Sequence, residues 1–330
     1  MMKKVRWGIA GPGNIAKKFA TAANNLDSVE LCAVASRDPA RGAAFAAEYG
    51  IPTVFSSYEE MAASPLVDCV YVATPHPFHK GCAEIFLQAG KHVLCEKPMC
   101  INVPQAEELI ACAREHDAFL MEAMWTRFLP STEALLATVA AGEIGEVRGI
   151  TADFCYNIEA KEDSKIFDPA MAGGGLLDVG VYSLHFAAML MGTEGVKLSA
   201  AARIVDGCDR HTVITAEYEN GVLATLTSAT DVQKPYDAYI YGSKGYIYVP
   251  GFYGAQGFTV VKGTKRDERT YPSLGAGFEE EILEASRAVT EGIRESERHP
   301  LSRTLAVLRQ MDEIRRQIGV RYPLPGEDRI

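Results

Sequence analysis

Short apolar runs alternate with helix-like segments along the first 120 residues of the chain. The runs over 5–10, 29–36, 69–74, 92–98 and 118–123 are rich in β-branched residues and predict strands. Apolar positions with helical spacing cover 14–25, 40–49, 78–89 and 103–116. Strict alternation of strand and helix is typical of right-handed βαβ units, so we expect an α/β fold with a doubly wound parallel sheet.

The pattern changes after about residue 125. A helical segment over 131–141 is followed by alternating runs that predict long strands over 147–157, 197–205, 211–218 and 222–230. The turns Asn220-Gly221 and 242–245 favour antiparallel pairing. Helical patterns over 278–292 and 302–319 close the chain. We therefore predict two domains, 1–124 and 125–330, the second an α+β domain with a large, mainly antiparallel, open-faced sheet.

Composition narrows the possible partners. The net charge is −10 and the 33 Lys and Arg residues are spread along the chain, which argues against nucleic-acid binding. We find no apolar run that approaches the roughly 18 residues of a membrane span, and no signal-peptide pattern. Eight cysteines without a CxxC spacing predict free thiols and no metal site. These features predict a cytoplasmic protein with no membrane partner.

A glycine-rich turn joins the first predicted strand to the first helix. Its sequence, residues 11–16, is Gly-Pro-Gly-Asn-Ile-Ala. Gly11 permits the tight turn, Gly13 lets a pyrophosphate approach the backbone, and the helix start at Asn14 and Ile15 supplies unpaired N–H groups. This strand–turn–helix context predicts dinucleotide binding in a Rossmann domain.

The second predicted strand ends in Ser36-Arg37-Asp38, where NAD-binding folds usually place a carboxylate for the ribose. Ser36 leaves room, and the guanidinium of Arg37 suits the 2′-phosphate of NADP. We therefore predict NADP. NAD stays possible because Asp38 could reach the ribose.

Two further loops follow predicted strands, and the carboxyl ends of such strands line the ligand crevice of a doubly wound sheet. Thr74-Pro75, with His79 four residues later, follows the third strand, and we interpret His79 as a positioning residue rather than a general base. The next strand ends in Glu96-Lys97-Pro98. Lys97 is well placed for the crevice, although a solvated loop lysine explains the pattern equally well.

Three polar residues interrupt an apolar helical pattern that follows Gly173-Gly174-Gly175. Asp178, Tyr182 and His185 share one helix face. A polar stripe on a buried helix is costly unless it faces a site, so Asp178 and Tyr182 are predicted catalytic or substrate-binding residues. For His185 a structural hydrogen bond is favoured over a place in the substrate pocket. Trp125 and Phe154 are either walls of that pocket or core residues.

These motifs together resemble the glucose-fructose oxidoreductase and inositol dehydrogenase (Gfo/Idh/MocA) family over the whole chain. Within the family the chain looks most like the dimeric dihydrodiol dehydrogenases, which also act as NADP-dependent D-xylose 1-dehydrogenases. That narrower resemblance rests on Met-Glu-Ala-Met-Trp-Thr-Arg-Phe at 121–128, on Ile-Gly-Val-Arg-Tyr-Pro at 318–323, and on tyrosine rather than histidine at 182.

The resemblance implies an oxidoreductase that transfers a hydride between nicotinamide and a carbinol carbon of a sugar, polyol or cyclic diol. It implies that Lys97 and Tyr182 form the catalytic pair, that Asp178 orients the reacting hydroxyl, and that the sheet of the second domain mediates homodimer or higher assembly. Residues expected at the cofactor are Gly11, Gly13, Asn14, Ile15, Ser36, Arg37, Thr74, Pro75, His79, Glu96 and Lys97. An inositol or keto-sugar substrate remains an alternative, as does a non-catalytic NADP-binding regulatory protein.

Overall fold

A computed structural model describes residues 4–158 and 164–330. Contacts group the chain into two compact units. The first takes in the chain up to Cys100, Gln105–Trp125 and Leu274–Thr304, and the second takes in Ile101–Pro104, Thr126–Ser273 and Leu305–Ile330. The predicted second domain, 125–330, includes Leu274–Thr304, but this segment packs in the first unit, where Trp7 Nε1 donates to Ser286 Oγ at 3.0 Å. The predicted boundary at 124 and 125 stays a prediction.

Apart from α3, which was not predicted, the helices in the described part of the chain agree closely with the predicted segments. They are α1 Asn14–Asn24, α2 Pro39–Tyr49, α3 Tyr58–Ala63, α4 His79–Gln88, α5 Val103–Glu115, α6 Pro130–Ala140, α7 Val181–Met191, α8 Glu279–Glu291 and α9 Leu301–Ile318.

The first unit contains a parallel sheet. Its strands are β1 Val5–Ala10, β2 Val29–Ala35, β3 Thr53–Phe55, β4 Cys69–Val72, β5 His92–Glu96 and β6 Leu120–Ala123. Among the described residues the order is β3-β2-β1-β4-β5-β6, which confirms the doubly wound prediction. Strand β3 was not predicted, because three residues carry too little periodicity. The order reverses between β1 and β4, so the carboxyl ends of these strands flank the crevice where such sheets bind ligands.

The second unit contains a larger sheet. Its strands are β7 Val147–Cys155, β8 Lys197–Val205, β9 Cys208–Glu217, β10 Leu223–Ala229, β11 Ala238–Gly242, β12 Gly245–Val249, β13 Gly257–Lys262 and β14 Lys265–Thr270. In the part of the chain that the structure describes, the order is β14-β13-β12-β11-β7-β10-β9-β8. Strand β10 pairs antiparallel with β9 and β11 pairs antiparallel with β12, as the two turns predicted. The β7–β10 pair is parallel, so the sheet is mainly antiparallel.

Helices cover one face of this sheet and leave residues exposed on the other. Helix α7 packs on β7 and β10, and α6 packs on β13. Leu223 on β10 and Tyr241 on β11 both pair with Gly149 on β7, so they lie in one row across the sheet. Both side chains are exposed. The second sheet therefore has an open face, as predicted.

One segment differs from the expectation that no apolar run approaches the length of a membrane span. Pro169–Met191 is long and apolar enough to cross a bilayer by length and composition. The apolar length of this segment was not predicted, because Asp178, Tyr182 and His185 interrupt its apolar residues. Most of the segment is buried inside the protein, as the core helices of many proteins are.

Candidate active site

The glycine-rich turn after β1 leaves space beside its backbone. Gly11 has φ of +91°, and a Cβ at this position would lie 3.2 Å from the Ala73 carbonyl oxygen. A Cβ at Gly13 would meet no atom within 4 Å among the described residues. Gly13 is the N-cap residue directly before α1, and no described side chain caps the helix start. The open backbone and the unpaired N–H groups at Asn14 and Ile15 therefore fit a pyrophosphate.

The loop after β2 assigns its carboxylate to the protein itself. The Asp38 carboxylate caps α2 by accepting a hydrogen bond from the Arg41 amide at 3.1 Å. Ser36 is buried, and its Oγ accepts from the Asp38 amide at 3.2 Å. Arg37 is exposed, with its guanidinium carbon 5.8 Å from the centroid of the Phe78 ring. The guanidinium of Arg37 is therefore exposed at the strand end, which fits the 2′-phosphate of NADP.

His79 joins the two loops that follow β4 and β5. The buried ring places Nε2 2.6 Å from the Thr74 carbonyl oxygen and Nδ1 2.8 Å from the Pro98 carbonyl oxygen. Burial lowers the pKa of His79, while the two carbonyl contacts favour a protonated ring and oppose that shift. Pro75, directly after Thr74, begins the short turn that leads into α4. His79 thereby ties Thr74-Pro75 to the Lys97-Pro98 segment.

Glu96 and Lys97 lie at the carboxyl end of β5. Glu96 is buried, accepts a hydrogen bond from the Tyr71 hydroxyl, and accepts from the Lys97 amide at 3.2 Å. Burial raises the pKa of Glu96. The Lys97–Pro98 peptide is cis. Lys97 is half-buried, which differs from a fully solvated loop lysine.

A buried carboxylate that the sequence did not reveal supports this segment. Glu122 accepts from the Met99 amide at 3.0 Å and from Thr304 Oγ1 at 2.9 Å, and lies 3.1 Å from His299 Nε2. Trp125, three residues later, stacks on Phe278 with ring centroids 5.0 Å apart. Trp125 is therefore part of the packing of the first unit.

In the second unit, Asp178 and Tyr182 lie on two different kinds of helical turn. Leu176–Gly180 forms one π-helical turn, and α7 follows without a break. Sequence periodicity predicted an ordinary helix throughout, because a single wide turn leaves no periodic signal. Asp178 is half-buried and Tyr182 is 7% exposed. His185, one turn further, is fully buried.

Tyr156 contacts the carboxylate of Asp178. Its hydroxyl donates a hydrogen bond to Asp178 Oδ2. Tyr156 was not predicted as a site residue, although it follows Phe154 at the two-residue spacing that places side chains on one face of a strand. The Asp178 carboxylate is therefore oriented by a neighbouring phenol.

Aromatic rings surround Phe154. The ring of Tyr182 lies 5.4 Å from that of Phe154, Tyr253 stacks on it at 4.4 Å, and Tyr236 lies at 5.2 Å. Tyr236 and Tyr253 come from distant loops and carry no signal in the sequence. Tyr182 is thereby placed at the edge of an apolar surface, with its phenol as the polar group.

The predicted site residues divide between the two units. The first unit carries Gly11, Gly13, Asn14, Ile15, Ser36, Arg37, Thr74, Pro75, His79, Glu96, Lys97 and Trp125. The second carries Phe154, Asp178, Tyr182 and His185.

Comparison with known proteins places the chain in a family. Residues 5–124 match the model for an oxidoreductase family with an NAD-binding Rossmann fold, and residues 132–248 match the GFO/IDH/MocA C-terminal domain. The chain is 37% identical to trans-1,2-dihydrobenzene-1,2-diol dehydrogenase of Mus musculus over 97% of this chain and 98% of that protein.

Solved structures give the same result. The 3-ketoreductase KijD10 of Actinomadura kijaniata, in complex with NADP and TDP-benzene, is 26% identical with a TM-score of 0.88 over 96% of this chain and 98% of that one. Aldose-aldose oxidoreductase of Caulobacter crescentus is also 26% identical, with a TM-score of 0.87 over 96% and 97% of the two chains. The resemblance seen in the motifs is thus confirmed, and the protein belongs to the Gfo/Idh/MocA family of oxidoreductases.

Proposed function

We propose that this protein is an NADP-dependent dehydrogenase that oxidises a carbinol carbon of a cyclic trans-diol or of a pyranose such as D-xylose. The observation that carries the proposal is the group formed by Asp178, Tyr182 and Phe154. It combines a carboxylate and a phenol, which recognise a hydroxyl, with a ring surface that suits the apolar face of a cyclic substrate.

NADP supplies the hydride acceptor when it is bound. The turn at Gly11 and Gly13 would hold its pyrophosphate, and Arg37 would pair with its 2′-phosphate. The Asp38 carboxylate accepts a hydrogen bond from the Arg41 amide as the cap of α2, so one of its oxygens already has a partner in the protein.

The protein's own residues handle the proton and the charge. Tyr182, when ionised as a phenolate, accepts the proton of the reacting hydroxyl and becomes a phenol, and the ammonium of Lys97 is proposed to stabilise the negative charge that develops in the reaction. Asp178 accepts a hydrogen bond from the substrate, and the Tyr156 hydroxyl holds its carboxylate in position. His79 and Glu96 fix the backbone on both sides of Lys97.

The two substrate classes draw support from different relatives. The name of the mouse relative supports a diol, and the name of the Caulobacter structure supports a sugar. Phe154, Tyr236 and Tyr253 offer aromatic ring surfaces that suit the apolar face of a diol or of a sugar.

The test follows NADPH formation with D-xylose, D-glucose, inositols and a trans-dihydrobenzenediol. We expect turnover of one class, and a fall in kcat of about 100-fold or more in Tyr182→Phe and Lys97→Met, because both lose proton or charge chemistry. Tyr271→Phe is the control, since Tyr271 stacks on Phe258, a different ring from Phe154.

Each other outcome has a defined meaning. Full activity of Tyr182→Phe would contradict the mechanism. Turnover of inositols or keto-sugars alone would replace the substrate class. Tight NADP binding without turnover of any substrate would favour the regulatory protein.

We further propose that the open sheet face of the second unit forms a homodimer interface. The exposed apolar side chains Val213, Leu223 and Tyr241 support this. A cytoplasmic location is also a proposal, supported by eight cysteines that are all free thiols. Cell fractionation tests the location.

A further inference from the structure

The turn Gly173–Gly175 leads into the segment that carries Asp178 and Tyr182, and its first two residues are packed without room for a Cβ. A Cβ at Gly173 would lie 2.6 Å from the Ile166 carbonyl oxygen. Gly174 has φ of +123°, and a Cβ there would overlap Asp209 Oδ1. The backbone of the turn therefore rests directly against the Asp209 carboxyl group.

Asp209 holds the far end of this turn. Its side chain is fully buried, and Oδ2 accepts hydrogen bonds from the Leu176 amide at 2.7 Å and from Thr212 Oγ1 at 2.8 Å. Leu176 is the first residue of the π-helical turn, so its amide has no partner within that turn. Asp209 therefore caps the π-helical turn from strand β9, which lies elsewhere in the sequence.

Tyr322 holds the near end. Its buried hydroxyl donates a hydrogen bond to the Gly173 carbonyl oxygen at 2.9 Å. The ring lies 5.0 Å from the guanidinium carbon of Arg315, which is itself fully buried. Arg315 donates to Glu327 Oε2 at 2.7 Å and to the Ile101 carbonyl oxygen at 3.0 Å. Tyr322 is therefore anchored by a buried ion pair.

We propose that Asp209 and Tyr322 are positioning residues, which hold the Gly173–Leu176 turn from its two ends and thereby set the positions of Asp178 and Tyr182. The inference rests on the proposed roles of those two residues. Neither Asp209 nor Tyr322 is assigned a contact with substrate. Asp178 lies two residues beyond Leu176, so a shift of the turn displaces its carboxylate directly.

The chemistry of the two residues agrees with a positioning role. Burying a carboxylate costs free energy that a neutral or apolar residue would not cost. Burial raises the pKa of Asp209 to about 6, so the group is ionised in a mildly alkaline assay and binds both donors as an anion. A displacement of a reacting group by about 1 Å can lower rates by roughly 100-fold, so holding this turn in place matters for catalysis.

The experiment compares Asp209→Ala, Asp209→Asn and Tyr322→Phe with wild type in the NADPH assay, and measures amide hydrogen exchange over 174–182. We expect Asp209→Ala to lower kcat by about 10- to 100-fold with unchanged NADP affinity, because the Leu176 amide loses its acceptor. Asp209→Asn keeps an acceptor oxygen and should recover most of kcat. Tyr322→Phe should lower kcat by about 3- to 10-fold, and exchange should quicken in the Ala and Phe variants.

The matched control is Tyr218→Phe, a buried tyrosine of the same unit outside the turn. It should change neither kcat nor exchange over 174–182. Wild-type kcat and exchange in Tyr322→Phe and in a folded Asp209→Ala protein would overturn the proposal, as would an Asp209→Asn variant no better than Ala. If Asp209→Ala does not fold, Tyr322→Phe decides the question alone.

Failure of the proposed function is distinguishable from failure of this inference. A Tyr182→Phe variant with full activity would refute the catalytic assignment. If Tyr182→Phe is inactive and Asp209→Ala is fully active, only the positioning role of Asp209 and Tyr322 is refuted.

Discussion

At the scale of single residues, the partner of a side chain decides what its functional group does. Asp38 and Asp178 are both aspartates near the start of a predicted helix. The Asp38 carboxylate accepts the hydrogen bond that caps α2, whereas the Asp178 carboxylate accepts a hydrogen bond from the hydroxyl of Tyr156. Only the second arrangement leaves a carboxylate oriented for a ligand hydroxyl.

Replacing Tyr156 tests this orientation. We expect Tyr156→Phe to lower kcat by about 10-fold, because a hydrogen bond to a charged group contributes about 1.5–3 kcal/mol. Folding should be little affected, since the ring remains next to Phe154. Steady-state kinetics with the preferred substrate measure the effect. Unchanged kcat and KM would show that Asp178 needs no help from Tyr156.

At the scale of elements, the turn between β1 and α1 is a place where a substitution can weaken cofactor binding without affecting folding. A Cβ at Gly13 meets no described atom within 4 Å, and the residue has φ of −99°, which any residue adopts. An added methyl group would therefore fit the protein and occupy the space proposed for the pyrophosphate.

We expect Gly13→Ala to raise the Kd for NADP by about 10-fold or more, equal to about 1.4 kcal/mol or more of binding free energy. Its thermal unfolding without NADP should match wild type. Gly81→Ala is the control, because a Cβ at Gly81 in α4 also meets nothing within 4 Å. Calorimetric titration with NADP gives both affinities. Equal affinities would place the pyrophosphate elsewhere.

Element-scale predictions from the sequence succeeded where a repeating pattern extends over several residues. The boundaries of α1 and β8 agree with the predicted segments within one residue. The segment Leu176–Gly180 was predicted as ordinary helix, yet it forms a π-helical turn. Its amide at Leu176 is bound by Asp209, a contact that no local pattern reveals.

At the scale of the whole molecule, the open face of the larger sheet is the surface that most needs an explanation. Leu223 is 54% exposed and Tyr241 is 41% exposed, in one row across the sheet with Gly149 between them. Next to this row, Tyr239 and Tyr248 bring their rings within 5.0 Å. A flat surface with exposed apolar and aromatic side chains is typical of an interface.

Replacing Leu223 tests the dimer. We expect wild type to have the molar mass of a dimer by light scattering, and Leu223→Lys to shift it toward the monomer, because a charge would be buried in the interface. Leu66→Lys is the control, since Leu66 is 45% exposed in the first unit. A monomeric wild type, or a Leu223→Lys dimer of unchanged stability, would place the interface elsewhere.

The sequence by itself determined the two kinds of sheet, the glycine turn at 11–16 and the catalytic candidates Lys97, Asp178 and Tyr182. Strand and helix periodicities and turn residues are local properties, so a single chain displays them directly. Only the tertiary structure decided that Tyr156 meets Asp178, and that Asp209 and Tyr322 hold the turn before Tyr182. The last two contacts join residues 33 and 149 positions apart. Hydrogen bonds over such separations depend on how the chain packs, and packing leaves no repeating pattern in the sequence.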